Sequence, residues 1–335
     1  MKIWELSAWG FDNLHYRDVS APQPGPDQVL LKFGAASINY RDYQIVAGEF
    51  APDQPLPIIP GSDGAGRIVA AGDNVDGLSP GDRVSPLFFP EWMSGEALDN
   101  ERSVSSGLET LGVLREYGVY EPHQVCRIAP HLTDAEASCY PCAGLTAWNS
   151  LVTCSGTAAG DTVLVLGTGG VSIMALQFAK AMGVRVIVTS SSDERLQRAL
   201  VLGADHGINY RETPNWGEAA RKLTGGQGVD AVIEIGGEGT LPQSITALRR
   251  GGHINVIGYL AGIGLGLSVF NMIERNANLH GLSVGNREQF EEMMEFVGAH
   301  GIKPVIGRTY SFDEAGQAIQ DITRGGNFGK LVVTI

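Results

Sequence analysis

Residues 167–170 combine three glycines with one threonine, within the segment LVLGTGGVSIMALQFAKAMG (164–183). Glycine lets the backbone approach a ligand closely, and the free N–H groups of a following helix attract an anion. Because a strand-like run precedes the glycines and a helical pattern follows them, the spacing favours phosphate binding by Gly167, Thr168, Gly169, Gly170 and Val171. A strand-to-helix turn that binds nothing is the alternative, since Ser172 replaces the last glycine of Gly-x-Gly-x-x-Gly.

The elements that follow this turn alternate between strands and helices. Apolar runs at 184–190, 229–237, 252–260 and 278–286 predict strands, and DERLQRALVLGA and LPQSITALRRGG between them have helical spacing. This alternation is typical of a doubly wound parallel sheet covered on both faces, with its ligand site at the carboxyl ends of the strands. Dinucleotide binding thereby becomes the favoured interpretation of the glycine turn.

The chain before residue 125 has a different pattern, in which Pro and Gly interrupt short β-like runs with little helical periodicity. This pattern predicts a compact β-rich domain, from which segment 86–116 makes a long, irregular excursion. After residue 300, a short β segment, a helix and a final strand resemble the first domain. We therefore predict one domain from residues 1–125 and 301–335, and a second from residues 126–300.

Composition restricts the class of protein. The 335 residues are 43% hydrophobic, with a formal net charge of −13 and no basic cluster, which argues against a nucleic-acid partner. Since no apolar run is long enough for a bilayer and the N-terminus is not signal-like, we expect a cytoplasmic protein without a membrane partner. The four cysteines do not make a disulfide framework. Cys139 and Cys142 form Cys-x-x-Cys, whose spacing we interpret as accidental, with a redox role as the alternative.

Seven segments carry a resemblance to a known family. They are, in order, INYRD, PGSDGAGRIVAAG, LSPGDRV, PCAGLTAW, GDTVLVLGTGGVS, GADHGINY and NFGKLVV. In this order they resemble the medium-chain dehydrogenase/reductase superfamily. The resemblance implies an α/β protein, with a GroES-like β-rich catalytic domain formed by both chain ends and a central Rossmann nucleotide-binding domain.

The metal ligands of zinc-dependent members are only partly present. The resemblance aligns their Cys, His and Cys ligands with Asn39, Ser62 and Cys142. An amide and a hydroxyl are poor zinc ligands, so we predict no bound metal; a rescued site using Asp63 and Cys142 is the alternative. Without a Lewis acid to lower the pKa of an alcohol, the zinc-free branch is favoured. That branch resembles quinone oxidoreductases and enoyl reductases.

The second Rossmann strand ends in VTSSSDERL, with Ser190 and Ser191 where NAD-preferring domains carry an acid. Hydroxyls and Arg195 suit a 2′-phosphate, and zinc-free relatives place a tyrosine matching Tyr210 against it. We therefore predict NADPH as the cofactor; the alternative is that SSSD only caps a helix through Asp193. The resemblance assigns further cofactor contacts to Thr146, Gly236, Ile257, Gly258, Ser283, Val284, Asn327 and Phe328.

The resemblance also implies a reacting centre around Asn39, Tyr40 and Asp42. Asn39 would donate a hydrogen bond to the substrate oxygen, on which negative charge develops after hydride delivery to an enone or quinone. Enoyl reductases often carry a proton-donating tyrosine where this chain has Phe50. Tyr40, Tyr43 or solvent is then left as the proton source. Both tyrosines could instead be packing aromatics, and Asp42 could be purely structural.

Together these features predict an NADPH-dependent, zinc-independent reductase that transfers hydride to a small conjugated carbonyl substrate, a quinone or an enone. One alternative is an NAD(P)-dependent alcohol or aldehyde dehydrogenase. Another is a non-catalytic NADPH-binding protein of the crystallin type. By analogy with the zinc-free branch we expect a homodimer, in which the strand at 278–286 pairs with its two-fold mate.

Overall fold

The computed structural model describes residues 1–98, 101–102 and 104–335. Its strands are β1 (Lys2–Leu6), β2 (Leu14–Asp18), β3 (Val29–Ile38), β4 (Asp63–Ala71), β5 (Arg83–Pro86), β6 (Tyr117–Tyr120), β7 (Val125–Arg127), β8 (Thr162–Leu166), β9 (Arg185–Ser190), β10 (His206–Asn209), β11 (Val229–Glu234), β12 (Leu248–Val256), β13 (Asn278–Gly281), β14 (Ile306–Tyr310) and β15 (Lys330–Thr334). Its α-helices are α1 (Tyr40–Ala47), α2 (Asp134–Ala137), α3 (Leu145–Asn149), α4 (Gly170–Ala181), α5 (Asp193–Val201), α6 (Trp216–Leu223), α7 (Leu241–Ala247), α8 (Val269–Arg275), α9 (Arg287–His300) and α10 (Ala315–Asp321).

The chain divides into two compact units, one formed by Met1–Leu145 with Val284–Ile335 and the other by Thr146–Ser283. These boundaries differ from those expected at 125/126 and 300/301. Packing explains the difference, because α2 lies against β3 and β4, and α9 lies against β7. Residues 126–145 and 284–300 therefore belong to the β-rich unit.

The unit Thr146–Ser283 is built on a sheet with strand order β10-β9-β8-β11-β12-β13, and every neighbouring pair is parallel. This confirms the predicted parallel sheet. The predicted helix LPQSITALRRGG is shorter than expected, because Leu248 adopts an extended backbone and pairs with Val229 at the start of β12. Strand β13 lies at the end of the sheet order, and its pairing with a second copy stays a prediction.

The other unit contains a sheet with strand order β14-β15-β3-β4-β5-β7, against which β6 pairs through β3. The final β segment, helix and strand are β14, α10 and β15, in the predicted order. Strand β15 runs antiparallel to β3, with Leu331 opposite Ile38. This register brings the beginning of β15 beside the end of β3, where the candidate site lies.

The excursion after β5 is irregular, as the sequence predicts. Between residues 87 and 116, the described residues form no helix or strand, although their backbone pairs locally, as in Ser106 N–H donating to the Phe88 carbonyl at 3.0 Å. None of the helices in the described parts of the chain has the length and apolar character needed to cross a membrane.

Candidate active site

Asn39 occupies the turn between β3 and α1, where it is the N-cap of the helix. Its backbone N–H donates to Asp42 Oδ2 at 2.8 Å, and the hydroxyl of Ser62 donates to Asp42 Oδ1 at 2.8 Å. Asp42 is fully buried, and burial raises its pKa. Since both of its oxygens hold a partner, Asp42 braces the turn that carries Asn39.

The side-chain amide of Asn39 is held from both ends. Its Oδ1 accepts a hydrogen bond from Lys330 Nζ at 2.5 Å, and its Nδ2 donates to Asp63 Oδ2 at 2.9 Å. Because an ammonium group only donates and a carboxylate accepts, these partners fix which end of the amide carries the hydrogens. Nδ2 carries two hydrogens, so one remains for a further acceptor.

Lys330 and Asp63 form a buried ion pair behind Asn39. Lys330 Nζ lies 3.6 Å from Asp63 Oδ2, with side-chain exposures of 4% and 0%, and it also donates to the Ile38 carbonyl at 2.9 Å. Burial raises the pKa of Asp63 to about 6, while Lys330 and the hydrogen bond from Asn39 act in the opposite direction. Asp63 Oδ1 has no hydrogen-bond partner among the described residues. The buried ammonium therefore provides the positive charge next to this carboxylate.

The donor atoms in this cluster do not fit a catalytic zinc ion. Of the three positions aligned with zinc ligands, only Cys142 carries a thiol, and the other two hold the Asn39 amide and the Ser62 hydroxyl, which are poor zinc ligands. Asn39 Oδ1 and Asp63 Oδ2 already accept hydrogen bonds from Lys330 and Asn39, which leaves Asp63 Oδ1 as the carboxylate oxygen without a partner among the described residues. Over the described ranges, no group of three or more His, Cys, Asp or Glu side chains is arranged to hold a metal ion.

Two tyrosines lie on α1, after Asn39. Tyr40 has a relative exposure of 38% and stacks on Tyr43, with ring centroids 6.0 Å apart. Tyr43 is partly buried and also contacts Phe11, at 5.5 Å between centroids. Of the two phenols that the sequence offers as proton donors, Tyr40 is therefore the more accessible to a bound molecule.

The predicted glycine turn lies between β8 and α4 in the other unit. Gly167 has φ 73°, a left-handed conformation that favours glycine, and a Cβ added at Gly169 would meet no atom within 4 Å. Gly169 is the N-cap of α4, and no side chain caps the helix there. Ser172, which replaces the expected glycine, donates to the Leu166 carbonyl at 2.7 Å and closes the turn. The open space and the free N–H groups can accommodate a phosphate.

The residues predicted to bind a 2′-phosphate come together at the end of β9. Arg195 donates from Nη2 to Ser191 Oγ at 2.8 Å and from Nε to Ser190 Oγ at 3.3 Å. Tyr210 lies beside these residues, because its backbone N–H donates to the Ser190 carbonyl at 3.1 Å. Its relative exposure is 41%. The N-cap of α5 is Ser192. The segment SSSD therefore does cap the helix, through Ser192 in place of Asp193, and this capping is compatible with a phosphate site at Ser190, Ser191 and Arg195.

Three further predicted cofactor residues, Gly236, Ile257 and Gly258, lie together at the carboxyl ends of β11 and β12. Gly236 N–H donates to Glu234 Oε1 at 2.7 Å, and the N–H groups of Ile257 and Gly258 donate to the Glu234 carbonyl at 2.8 and 3.4 Å. The Glu234 carboxylate also accepts from the hydroxyls of Thr240 and Ser244. The sequence analysis missed Glu234. The feature that could have identified it is an acidic residue at the end of an otherwise apolar strand.

The remaining predicted cofactor residues are divided between the units. Thr146 is buried, and its carbonyl accepts from Ser150 Oγ at 2.7 Å; Ser283 is the last residue of the same unit. Val284 begins the next segment with φ 54°, which a β-branched residue rarely adopts. Asn327 and Phe328 lie just before β15 and therefore close in sequence to Lys330.

Comparisons with known proteins cover both units. Residues 25–130 match the family model of the alcohol dehydrogenase GroES-like domain, and residues 170–299 match that of the zinc-binding dehydrogenases. A zinc-type alcohol dehydrogenase-like protein of Schizosaccharomyces pombe is 41% identical over 333 residues, 97% of this chain and 96% of that protein. The chain belongs to the medium-chain dehydrogenase/reductase superfamily. This confirms the predicted α/β fold, with a GroES-like domain and a Rossmann-like parallel sheet.

Other members of the medium-chain superfamily differ in chemistry. The human quinone oxidoreductase is 28% identical over 326 residues, 95% of this chain and 92% of that protein. A solved NAD-dependent alcohol dehydrogenase has a TM-score of 0.91 and 30% identity, and the two chains cover each other completely. A mycobacterial protein solved in complex with NADPH has a TM-score of 0.82 and 26% identity, again with full coverage of both chains. Membership of the family therefore does not determine whether this chain binds a metal ion or which nicotinamide cofactor it uses.

Proposed function

We propose that this member of the superfamily is an NADPH-dependent, zinc-independent reductase of a conjugated carbonyl compound, a quinone or an enone. The observation that carries the proposal is the Asn39 amide, which Lys330 and Asp63 orient so that one Nδ2 hydrogen remains available. A neutral, fixed donor at a position where zinc enzymes carry a ligand suits a reaction in which an oxygen gains charge. The human quinone oxidoreductase relative supports the same substrate class.

The residues of the Rossmann unit fit NADPH. Gly169 and the first turn of α4 would hold the pyrophosphate, while Arg195, Ser190, Ser191 and Tyr210 would hold the 2′-phosphate. An arginine with two serine hydroxyls binds a phosphate more readily than a bare ribose hydroxyl. When bound, NADPH supplies the hydride for the β-carbon of the substrate.

The chain's own contribution to the chemistry is stabilisation of charge and delivery of a proton. Negative charge develops on the carbonyl oxygen, and the free Nδ2 hydrogen of Asn39 stabilises it through a hydrogen bond. Asp42, behind the turn, acts as a positioning residue because both of its oxygens are occupied within the protein. The proton that completes the reduction comes from Tyr40, Tyr43 or solvent.

Alcohol oxidation with a bound zinc ion is the second candidate, because the Schizosaccharomyces pombe relative is described as zinc-type. A panel of quinones, enones, enals, aldehydes and alcohols, assayed with chelator-treated protein, separates the two. We expect metal analysis of the purified protein to find no stoichiometric zinc, and NADPH consumption with quinones or enones to survive the chelator. Tightly bound zinc together with chelator-sensitive alcohol oxidation would favour the second candidate.

The cofactor preference is tested by Arg195→Ala. We expect this variant to weaken NADPH binding more than NADH binding by roughly 1–3 kcal/mol, because a charge-assisted contact to the 2′-phosphate is lost. Fluorescence titration of both cofactors measures the difference. Arg198→Ala, one turn further along α5, is the matched control and should leave the ratio of the two affinities unchanged. Equal losses for both cofactors in Arg195→Ala would remove Arg195 from the phosphate site.

A further inference from the structure

Arg41 projects from α1, two residues after Asn39, into a partly aromatic environment. Its Cζ lies 5.3 Å from the centre of the Phe50 ring and 5.0 Å from that of Phe88. Aromatic faces stabilise a guanidinium that has lost part of its water, and burial lowers the pKa of Arg41. The environment therefore holds a permanent cation that is only partly solvated.

The polar contacts of Arg41 are all to neutral oxygens. Nη1 donates to Ser62 Oγ at 2.8 Å and to the Ser106 carbonyl at 2.9 Å, and Nη2 donates to Ser105 Oγ at 2.5 Å. In the described parts of the chain, no carboxylate oxygen lies within 4.0 Å of its nitrogens, and neither Nε nor the second Nη2 hydrogen has a partner. Arg41 thus keeps donors for a further acceptor, while the carboxylates of Asp42, Glu109 and Asp63 lie near enough to favour its charged form.

A second unused donor lies in the same cluster. Ser106, whose carbonyl accepts from Arg41, is only 4% exposed, and its hydroxyl has no hydrogen-bond partner among the described residues. A buried polar group without a partner costs free energy, so such a hydroxyl is a site for a missing acceptor. Arg41 and Ser106, joined through the Ser106 carbonyl, each offer a donor, and a carboxylate has two acceptor oxygens.

The cluster is directly connected to Asn39. Ser62 accepts from Arg41 and donates to Asp42, whose other oxygen accepts from the Asn39 N–H. The next residue, Asp63, accepts from the Asn39 amide. The Asn39 amide and the Arg41 guanidinium therefore belong to one hydrogen-bonded cluster at the start of α1.

We propose that Arg41 binds a carboxylate of the substrate, which makes the substrate a conjugated oxo acid. The proposal rests on the proposed function, because Asn39 holds the other end of the molecule. A phosphate of the cofactor offers similar anionic oxygens, so the experiment separates these two sources.

The first arm measures binding without turnover. Calorimetry in the presence of NADPH compares 4-oxopentanoate with its methyl ester in the wild type, Arg41→Gln and Arg41→Lys. We expect the wild type to bind the acid at least about tenfold more tightly than the ester, and Arg41→Gln to abolish that ratio, with Arg41→Lys between them. Arg67→Gln, an exposed arginine of the same unit, is the control and should keep the ratio.

The proposal is overturned if the wild type binds acid and ester equally, or if the ratio survives in Arg41→Gln. Circular dichroism and the melting temperature show whether each variant is folded. If Arg41→Gln does not fold, the comparison of the wild type with Arg41→Lys still tests the proposal. A change confined to the affinity for NADPH would also overturn it and would assign Arg41 to a cofactor phosphate.

The second arm measures kcat/KM for (E)-4-oxopent-2-enoate and its methyl ester. We expect the acid-to-ester ratio to fall at least about tenfold in Arg41→Gln, through KM for the acid. If neither compound is reduced while the acid still binds through Arg41, the proposed function fails and the carboxylate site stands. If both are reduced equally by the wild type, the carboxylate site fails and the proposed function stands.

Discussion

Replacement of Lys330 by Met is expected to lower the free energy of unfolding by about 3–5 kcal/mol, because it leaves the Asp63 carboxylate buried without its cation. Lysine and methionine side chains have similar lengths, so the loss of stability reports the missing charge and hydrogen bonds more than a change of volume. Asn39 Oδ1 and the Ile38 carbonyl lose their donor in the same substitution. Chemical denaturation at neutral pH measures the effect.

The matched control is the double variant Lys330→Met/Asp63→Asn. If the destabilisation comes from an uncompensated carboxylate, neutralising Asp63 should recover most of the lost stability. If the two substitutions act independently, their losses of unfolding free energy should instead add in the double variant. Additive losses in this cycle, or a Lys330→Met protein as stable as the wild type, would show that the two charges are not coupled as the 3.6 Å distance implies.

Asn39→Ala is expected to reduce kcat by roughly a hundredfold, or about 3 kcal/mol, because it deletes the donor that we propose for the substrate oxygen. The dissociation constant for NADPH should change only a few-fold, since the proposed phosphate contacts lie at Gly169 and Arg195. Steady-state turnover on the best quinone or enone, together with fluorescence titration of NADPH, measures both quantities.

The structure requires a control for this variant, because Asn39 also contacts Lys330 and Asp63. Ser37→Ala removes a neighbouring hydroxyl, which lies 2.9 Å from the Ser138 carbonyl and 3.3 Å from Asp63 Oδ2, without touching the Asn39 amide. We expect Ser37→Ala to lose some stability and to keep kcat within a few-fold. An Asn39→Ala protein that is folded and turns over as fast as the wild type would exclude Asn39 from the chemistry.

The sequence was sufficient to predict the features that depend on local pattern. The glycine turn is flanked by a buried strand and an amphipathic helix, and the structure places β8 and α4 there. One strand-to-helix turn contains Ser190, Ser191 and Arg195. They are at most five positions apart in the sequence, so their closeness in space is expected from the sequence alone. Segment LPQSITALRRGG shows the limit of periodicity, because pairing with β11 converts its second half into β12.

The partners of Asn39 could not be predicted from local pattern. Lys330 is 291 positions away in the sequence, and only the antiparallel pairing of β15 with β3 brings its ammonium to the amide. The sequence analysis offers Asp63 as a replacement metal ligand, whereas in the structure it pairs with Lys330. The lysine in the segment NFGKLVV is the sequence feature that could have indicated this partner. The ion pair depends on which strands become neighbours, a property of the whole fold.

The most direct test of the central claim follows the hydrogen that is transferred. Chelator-treated protein is incubated with an enone and NADPH carrying deuterium at C4 of the nicotinamide, and the product is examined by mass spectrometry and NMR. The proposed reaction predicts a saturated ketone with one deuterium at the β-carbon. Deuterium at the carbonyl carbon of an alcohol, formed only after zinc is restored, would contradict it.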